Sequence, residues 1–241
     1  MGRNGLKLFV TILINFFIML LFFIIISIGT NIFLSCIIYV IFISIIIICR
    51  ITKNKFKRRC CILSSGIILL LLCGFLYIFT YYSRTYGFGY ESYEEINMFS
   101  YNINISFYQI TNSVIIIGLV GTVIDTAVSI CSSMYEISTN NKDLNSRKLF
   151  MSGMNIGRDI LGTTVNTLLF AFLGEGITLL LLLYSCNYSL LELFNNKTLI
   201  IEFIKIMFSI LGSLFVIPLS AFIFVNLVHR FDGEMNLNEH I

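Results

Sequence analysis

The chain has 241 residues, 57% hydrophobic and 12% charged, with a mean hydropathy of +0.91. A soluble domain carries about 25% charged residues, so a water-soluble enzyme or solvated binding domain is excluded. Sixteen Lys and Arg against thirteen Asp and Glu leave a formal net charge of +3. Most of that basic charge sits beside apolar runs, where it signals topology and anionic lipid rather than a nucleic-acid partner.

A membrane span needs roughly 20 mostly apolar residues. Leu8 to Ile28 is the first such run, with Asn15 its one strongly polar residue. It reads as an anchor: the apolar stretch is too long for a cleaved signal, and no small-residue cleavage site follows. Phe33 to Cys49 and Cys61 to Tyr81 are the second and third runs. Thr111 to Ile130 is the fourth, interrupted by Asp125; Ile160 to Tyr184 is the fifth and Ile200 to Val228 the sixth. The short alternating segments of a membrane β-barrel are absent. The expected fold is therefore all-α, a polytopic membrane bundle of about six transmembrane helices. Lipid offers backbone groups no partners, and helices satisfy their own.

The basic residues set the expected topology. Arg3 and Lys7 precede the first run, and six more, Arg50 to Arg59, crowd the link between the second and third. Lys142, Arg147, Lys148 and Arg158 lie between the fourth and fifth, and Arg230 follows the sixth. Thirteen of the sixteen thus fall on one side of six spans, which predicts cytoplasmic N and C termini. The cysteines show no metal-site spacing and read as small buried hydrophobes, so no metal or cofactor is expected. The sequons at Asn104, Asn187 and Asn196 read as chance in an Asn-rich chain. The Ile, Asn, Lys, Phe and Tyr bias fits an AT-rich bacterial genome, placing the protein in a bacterial cell membrane.

Two halves differ in character. Residues 1–109 hold three apolar helices and an extracytoplasmic aromatic loop, with seven tyrosines from Tyr81 to Tyr108. Tyrosine favours the headgroup level. Residues 110–241 form a motif-bearing core of three spans and a short cytoplasmic tail, with polar and ionisable residues at bilayer depth. Such residues are functional candidates by default. On the fourth run Gly118, Gly121, Asp125, Ser129, Ser132 and Glu136 step by three or four and share one helix face. On the fifth run and its lead-in Ser152, Asn155, Asp159, Thr163 and Asn166 do the same, while Gly153 and Gly157 form a small-xxx-small pair and Gly162 follows. A short link joins these runs, so they are expected to be antiparallel neighbours whose polar faces meet in a seam. Arg158 is its nearest cation, available to Glu136 or Asp159. Glu175, between Gly174 and Gly176, is expected to form a second polar site with Lys205, which also has Glu202 three residues away.

The second half resembles the YibE/F family of multi-pass bacterial membrane proteins. The resemblance rests on Gly121-Thr-Val-Ile-Asp-Thr-Ala-Val-Ser-Ile-Cys-Ser-Ser-Met-Tyr-Glu136, Ser152-Gly-Met-Asn-Ile-Gly-Arg-Asp159 and Gly162-Thr-Thr-Val-Asn-Thr-Leu168, with a weaker echo at Asn196 to Glu202 and Gly212 to Pro218. It covers roughly residues 95 to 228. It implies a membrane location and no established reaction. Family members carry an extracytoplasmic domain before the core, so this chain is expected to be the membrane half alone. Glu175 departs from the small polar residue expected there.

No HExxH, GxSxG, Walker A or dinucleotide loop occurs, so no enzymatic activity is expected. The leading expectation is a transporter, permease or permease subunit for a small solute or ion. Asp125 would be its binding carboxylate, with Ser129, Ser132, Glu136, Asn155, Asp159, Thr163 and Asn166 lining the path. The alternative is a non-transporting assembly or scaffold protein, the seam serving only as packing. Expected partners are the bilayer and either a second membrane protein carrying the missing domain or further copies of the chain.

Overall fold

The computed structural model describes residues 2–27, 31–83, 107–141, 145–185, 189, 191–192 and 195–235. Six long helices account for nearly all of them: α1 (Gly2–Ser27), α2 (Ile32–Ile51), α3 (Lys55–Ser83), α4 (Phe107–Asn140), α5 (Ser146–Ser185) and α6 (Lys197–Met235). Among the described residues there is no strand. Among the described residues, α1, α2, α3, α4 and α6 each hold a stretch long and apolar enough to cross a membrane. The aromatic loop after α3 lies outside the described residues, as do Asn104, Asn187, Cys186 and His240.

Asparagine side chains start three of the helices. Asn31 Oδ1 accepts from the Leu34 N–H at 3.3 Å and Asn54 Oδ1 from the Phe56 N–H at 2.8 Å. Asn196 Oδ1 accepts from the N–H groups of Thr198 and Leu199 at 3.0 and 3.3 Å. Each satisfies orphan donors of a first turn. Asn196 is thereby a buried cap. In the connection between α5 and α6, Glu192 accepts from the Ser189 N–H and hydroxyl at 2.7 and 2.8 Å. These bonds hold its carboxyl below the usual carboxylate range.

Helix α4 is the centre of the bundle, packed against α2, α3, α5 and α6. Its most apolar stretch is 56% buried, whereas that of α1, whose main neighbour is α2, is 6% buried. One core cluster runs through both halves of the chain, from Phe22, Cys36 and Leu69 to Leu119, Ile124 and Phe224. Packing rather than hydrophobic expulsion holds such a core, because lipid tails are as apolar as leucine. The buried hydroxyls turn back on their own helices: Ser64 donates to the Cys60 carbonyl and Thr126 to the Thr122 carbonyl, at 2.9 and 2.8 Å. Bonds between helices come instead from thiols and tyrosines. Cys36 and Cys61 donate to the α4 carbonyls of Ser113 and Ala127 at 3.7 and 3.8 Å, and Tyr108 donates to the Tyr77 carbonyl at 3.1 Å. At the other end of α4, Tyr135 accepts from Asn54 Nδ2 at 2.9 Å and lies 4.5 Å from Lys57 Nζ, fastening the α2–α3 turn to that helix. This end, where the basic residues gather, is called the basic end below.

Helix α5 begins fourteen residues before the apolar run at Ile160 predicted from sequence, because its lead-in has a packing face. A Cβ added at Gly157 would collide with Ile217 Cγ2, and one at Gly153 would lie 2.7 Å from Met134 Sδ and 3.1 Å from Ala221 Cβ. Glycine is needed here for the close approach of α5 to α6. Gly212 serves the same purpose on α6, where a Cβ would meet Val123 and Leu72 at 2.7 and 3.0 Å. Around Gly121 and Gly162 nothing lies within 4 Å. Gly157→Ala is therefore expected to destabilise the bundle by about 1–3 kcal/mol through overpacking. Gly162→Ala should be neutral or stabilising by up to about 1 kcal/mol through helix propensity. Thermal unfolding in detergent measures both; equal effects would refute the packing account.

Candidate functional site on the outer faces of α4 and α5

The polar residues of α4 do share one face. Gly118, Gly121, Asp125, Ser129 and Glu136 are all exposed and Ser132 is half-buried, while Leu119, Val123, Ile124, Ala127, Ile130 and Met134 around them are buried. On α5 Asn155, Asp159, Thr163 and Asn166 are exposed and Ser152 is half-buried. The strips therefore do not close into the seam expected between α4 and α5 of one chain: both point away from the core. The physical reason lies in the glycines. At 3.6 residues per turn, Gly153 and Gly157 fall on the opposite side of α5 from Asp159. Burying that glycine face against α6 turns the polar face outward. The spacing of these glycines relative to the polar strip was the sequence signal that would have shown it.

The contact of Gly153 with Met134 sets the register of the antiparallel helices. Asp125 is nine residues beyond Met134 away from the basic end, so it stands level with Gly162, nine residues beyond Gly153. By the same count Asp159 is level with Val128, less than one helical turn from Asp125. Asp159 lies thirteen residues inside α5, away from its start. Two carboxylates on neighbouring helices thus occupy nearly one depth. Among the described residues neither Asp125 nor Asp159 has a side-chain hydrogen bond or ion pair, and Arg158 pairs with neither Asp159 nor Glu136. Among the described residues Asn155 and Asn166 make no hydrogen bond between helices.

At the far end of the α4 strip, Lys205 forms an ion pair with Glu202. Its aliphatic stem covers Gly118, where a Cβ would meet Lys205 Cδ at 2.9 Å. The side chain of Glu175, the other half of the second polar site, lies outside the described residues. Among the described residues no three His, Cys, Asp or Glu side chains gather to hold a metal. A groove of about 540 Å³ between α3 and α6 is lined by apolar side chains, among them Leu72, Phe75, Phe215 and Pro218, and offers no polar group to a solute.

The profile of the YibE/F-like protein family matches residues 1–230. The chain belongs to that family. The match takes in the first three helices of this YibE/F-like protein, so the resemblance is not confined to residues 95 to 228. Those helices, rich in Ile, Leu and Phe, hold few distinctive residues on which likeness is recognised. No curated protein and no solved structure matches the chain.

Sequence reading missed Asn112, which is fully buried in α4 with neither amide atom hydrogen-bonded among the described residues. A lone buried amide costs about 1–3 kcal/mol. Asn112→Leu in the YibE/F-like chain should raise stability by a comparable amount on thermal unfolding. A loss instead would mean that Asn112 binds a water or another group in the native protein.

Proposed function

We propose that this multi-pass YibE/F-like protein is a permease subunit for a small solute or ion, in a bacterial cell membrane, with six spans and both termini cytoplasmic. Asp125 is its binding carboxylate, and Ser129, Asn155, Asp159, Thr163 and Asn166 line the path. The observation behind this reading is two polar strips, with Asp125 and Asp159 at nearly the same level, exposed on helices of membrane-spanning length. A carboxylate facing hydrocarbon is costly, and such groups pair, line water-filled cavities or bind ions. The orientation rests on the basic clusters around Arg50–Arg59 and Lys142–Arg158.

A second reading draws on the same geometry. The strips open outward, and in a scaffold they would be the contact surface for another membrane protein. Nothing but assembly would then depend on Asp125.

Thermal stability in detergent across pH and a panel of cations separates the two readings. A ligand bound only by the folded protein stabilises it by about 2.7 kcal/mol at a hundredfold excess over its dissociation constant. The permease reading expects a cation- or pH-dependent shift in the wild type that Asp125→Asn abolishes. A wild type indifferent to every cation, with Asp125→Asn altering stability alone, would leave the scaffold reading.

A further inference from the structure

Resting on the permease reading, we infer that the path is completed by a second copy of the chain. In this two-fold pair α4 of each copy lies against α5 of the other, so that each path is built from both.

The single chain leaves the site half made. Asp125 and Ser129 on α4, and Asn155, Asp159 and Asn166 on α5, are exposed without side-chain partners across helices. Hydrocarbon supplies no hydrogen bonds, so these faces need a polar cover. The α4 strip is shaped for a helix: Gly121 has nothing within 4 Å of where a Cβ would stand, so a neighbouring backbone can approach closely.

Charge complementarity identifies the cover as the chain's own other strip. The α4 strip is acidic, with Asp125 and Glu136 exposed; the α5 surface carries exposed Lys148 and Arg158. A two-fold axis along the membrane normal preserves depth, so the register set by Met134 and Gly153 holds between copies. Asp125 then meets the level of Gly162, with Asn166 one turn beyond to donate to it and Asp159 less than a turn the other way. Arg158 falls level with Ser129, within reach of Asp125 and beside Asp159. Glu136 falls level with Met151, one turn from Lys148. The alternative pairing of α4 with α4 sets Asp125 against Asp125 and Glu136 against Glu136, and α5 with α5 sets Lys148 against Lys148; both are repulsive. The crossed pairing brings Glu136 to Lys148 and Arg158 to Asp125, and two-fold symmetry makes the contact twice. Because α4 and α5 are neighbours in contact, one axis serves both.

Ser132 and Asn155 stand level in this register and give the test. Two full-length single-site variants, Ser132→Cys and Asn155→Cys, are made in a Cys49→Ser, Cys186→Ser background. They carry different tags and are co-expressed, then oxidised in native membranes. The expected product is a disulfide dimer carrying both tags. Either variant expressed alone, or Asn155→Cys paired with Leu214→Cys on the exposed face of α6, should give none. Subunit counting of the wild type in bilayers should find two copies. Glu136→Lys should weaken association by about tenfold or more, and Lys148→Glu in the same chain should restore it. One copy per complex, with or without a second polypeptide, overturns the pair, and a Ser132→Cys homodimer overturns the crossed arrangement. A cation response that survives in single copies would leave the permease reading standing while this inference fell. A dimer without any cation response would do the reverse.

Discussion

The arrangement of the bundle depends on the enclosure of α4. Its neighbours α2, α3, α5 and α6 cover it on every side but one, and its buried residues, from Ile115 and Ile116 to Ile130 and Met134, are almost all apolar. Without a hydrophobic force between helices in lipid, the fit of these side chains and the close approaches at Gly153, Gly157 and Gly212 supply the cohesion. Once the apolar faces are taken up in that way, the strip carrying Asp125 is the remainder. Its outward position follows from packing elsewhere rather than from any preference of its own.

Polar groups inside the core are handled locally. Ser44, Ser64, Ser65, Thr80 and Ser213 each return a hydroxyl to the carbonyl four residues back, so the core needs no polar network between helices. Among the described residues, bonds from Cys36, Cys61, Asn54, Thr80 and Tyr108 cross, and they join α4 to the apolar first half. That half is therefore more than a lipid-facing sleeve: its thiols fasten α2 and α3 to the helix that bears the acidic strip. Orphaned Asn112 stands out because every comparable hydroxyl on α4 that is buried has a partner.

Much of the fold was legible in the sequence. Six apolar runs became six helices, because length and hydropathy determine a helix in lipid almost without reference to tertiary context. The three-or-four residue spacing also identified the faces correctly: Asp125 lies with Ser129 and Glu136, and Asp159 with Asn155 and Asn166. Periodicity says which residues share a face but not what that face meets. The choice between an inward and an outward strip was made by Ile217 and Ala221 on α6, more than fifty residues away in sequence, through their fit against Gly157 and Gly153. The extra length of α5 was hidden for a related reason. Its lead-in is too polar to read as a span and becomes helical because it has something to pack on.

The two small-residue patterns consequently have opposite meanings. On α5, Gly153 and Gly157 lie across the helix from the polar strip and have already been used to bring α6 close. On α4, Gly121 lies within the strip beside Asp125 and has no neighbour. A small residue inside an exposed polar strip costs helix propensity and returns nothing within this chain. The return comes only from a helix that docks there, and such a helix also shields the carboxylate from lipid. The glycine and the aspartate thus make one structural demand, for a close and polar neighbour, and the α5 strip of a second copy, as proposed, would meet both parts of it.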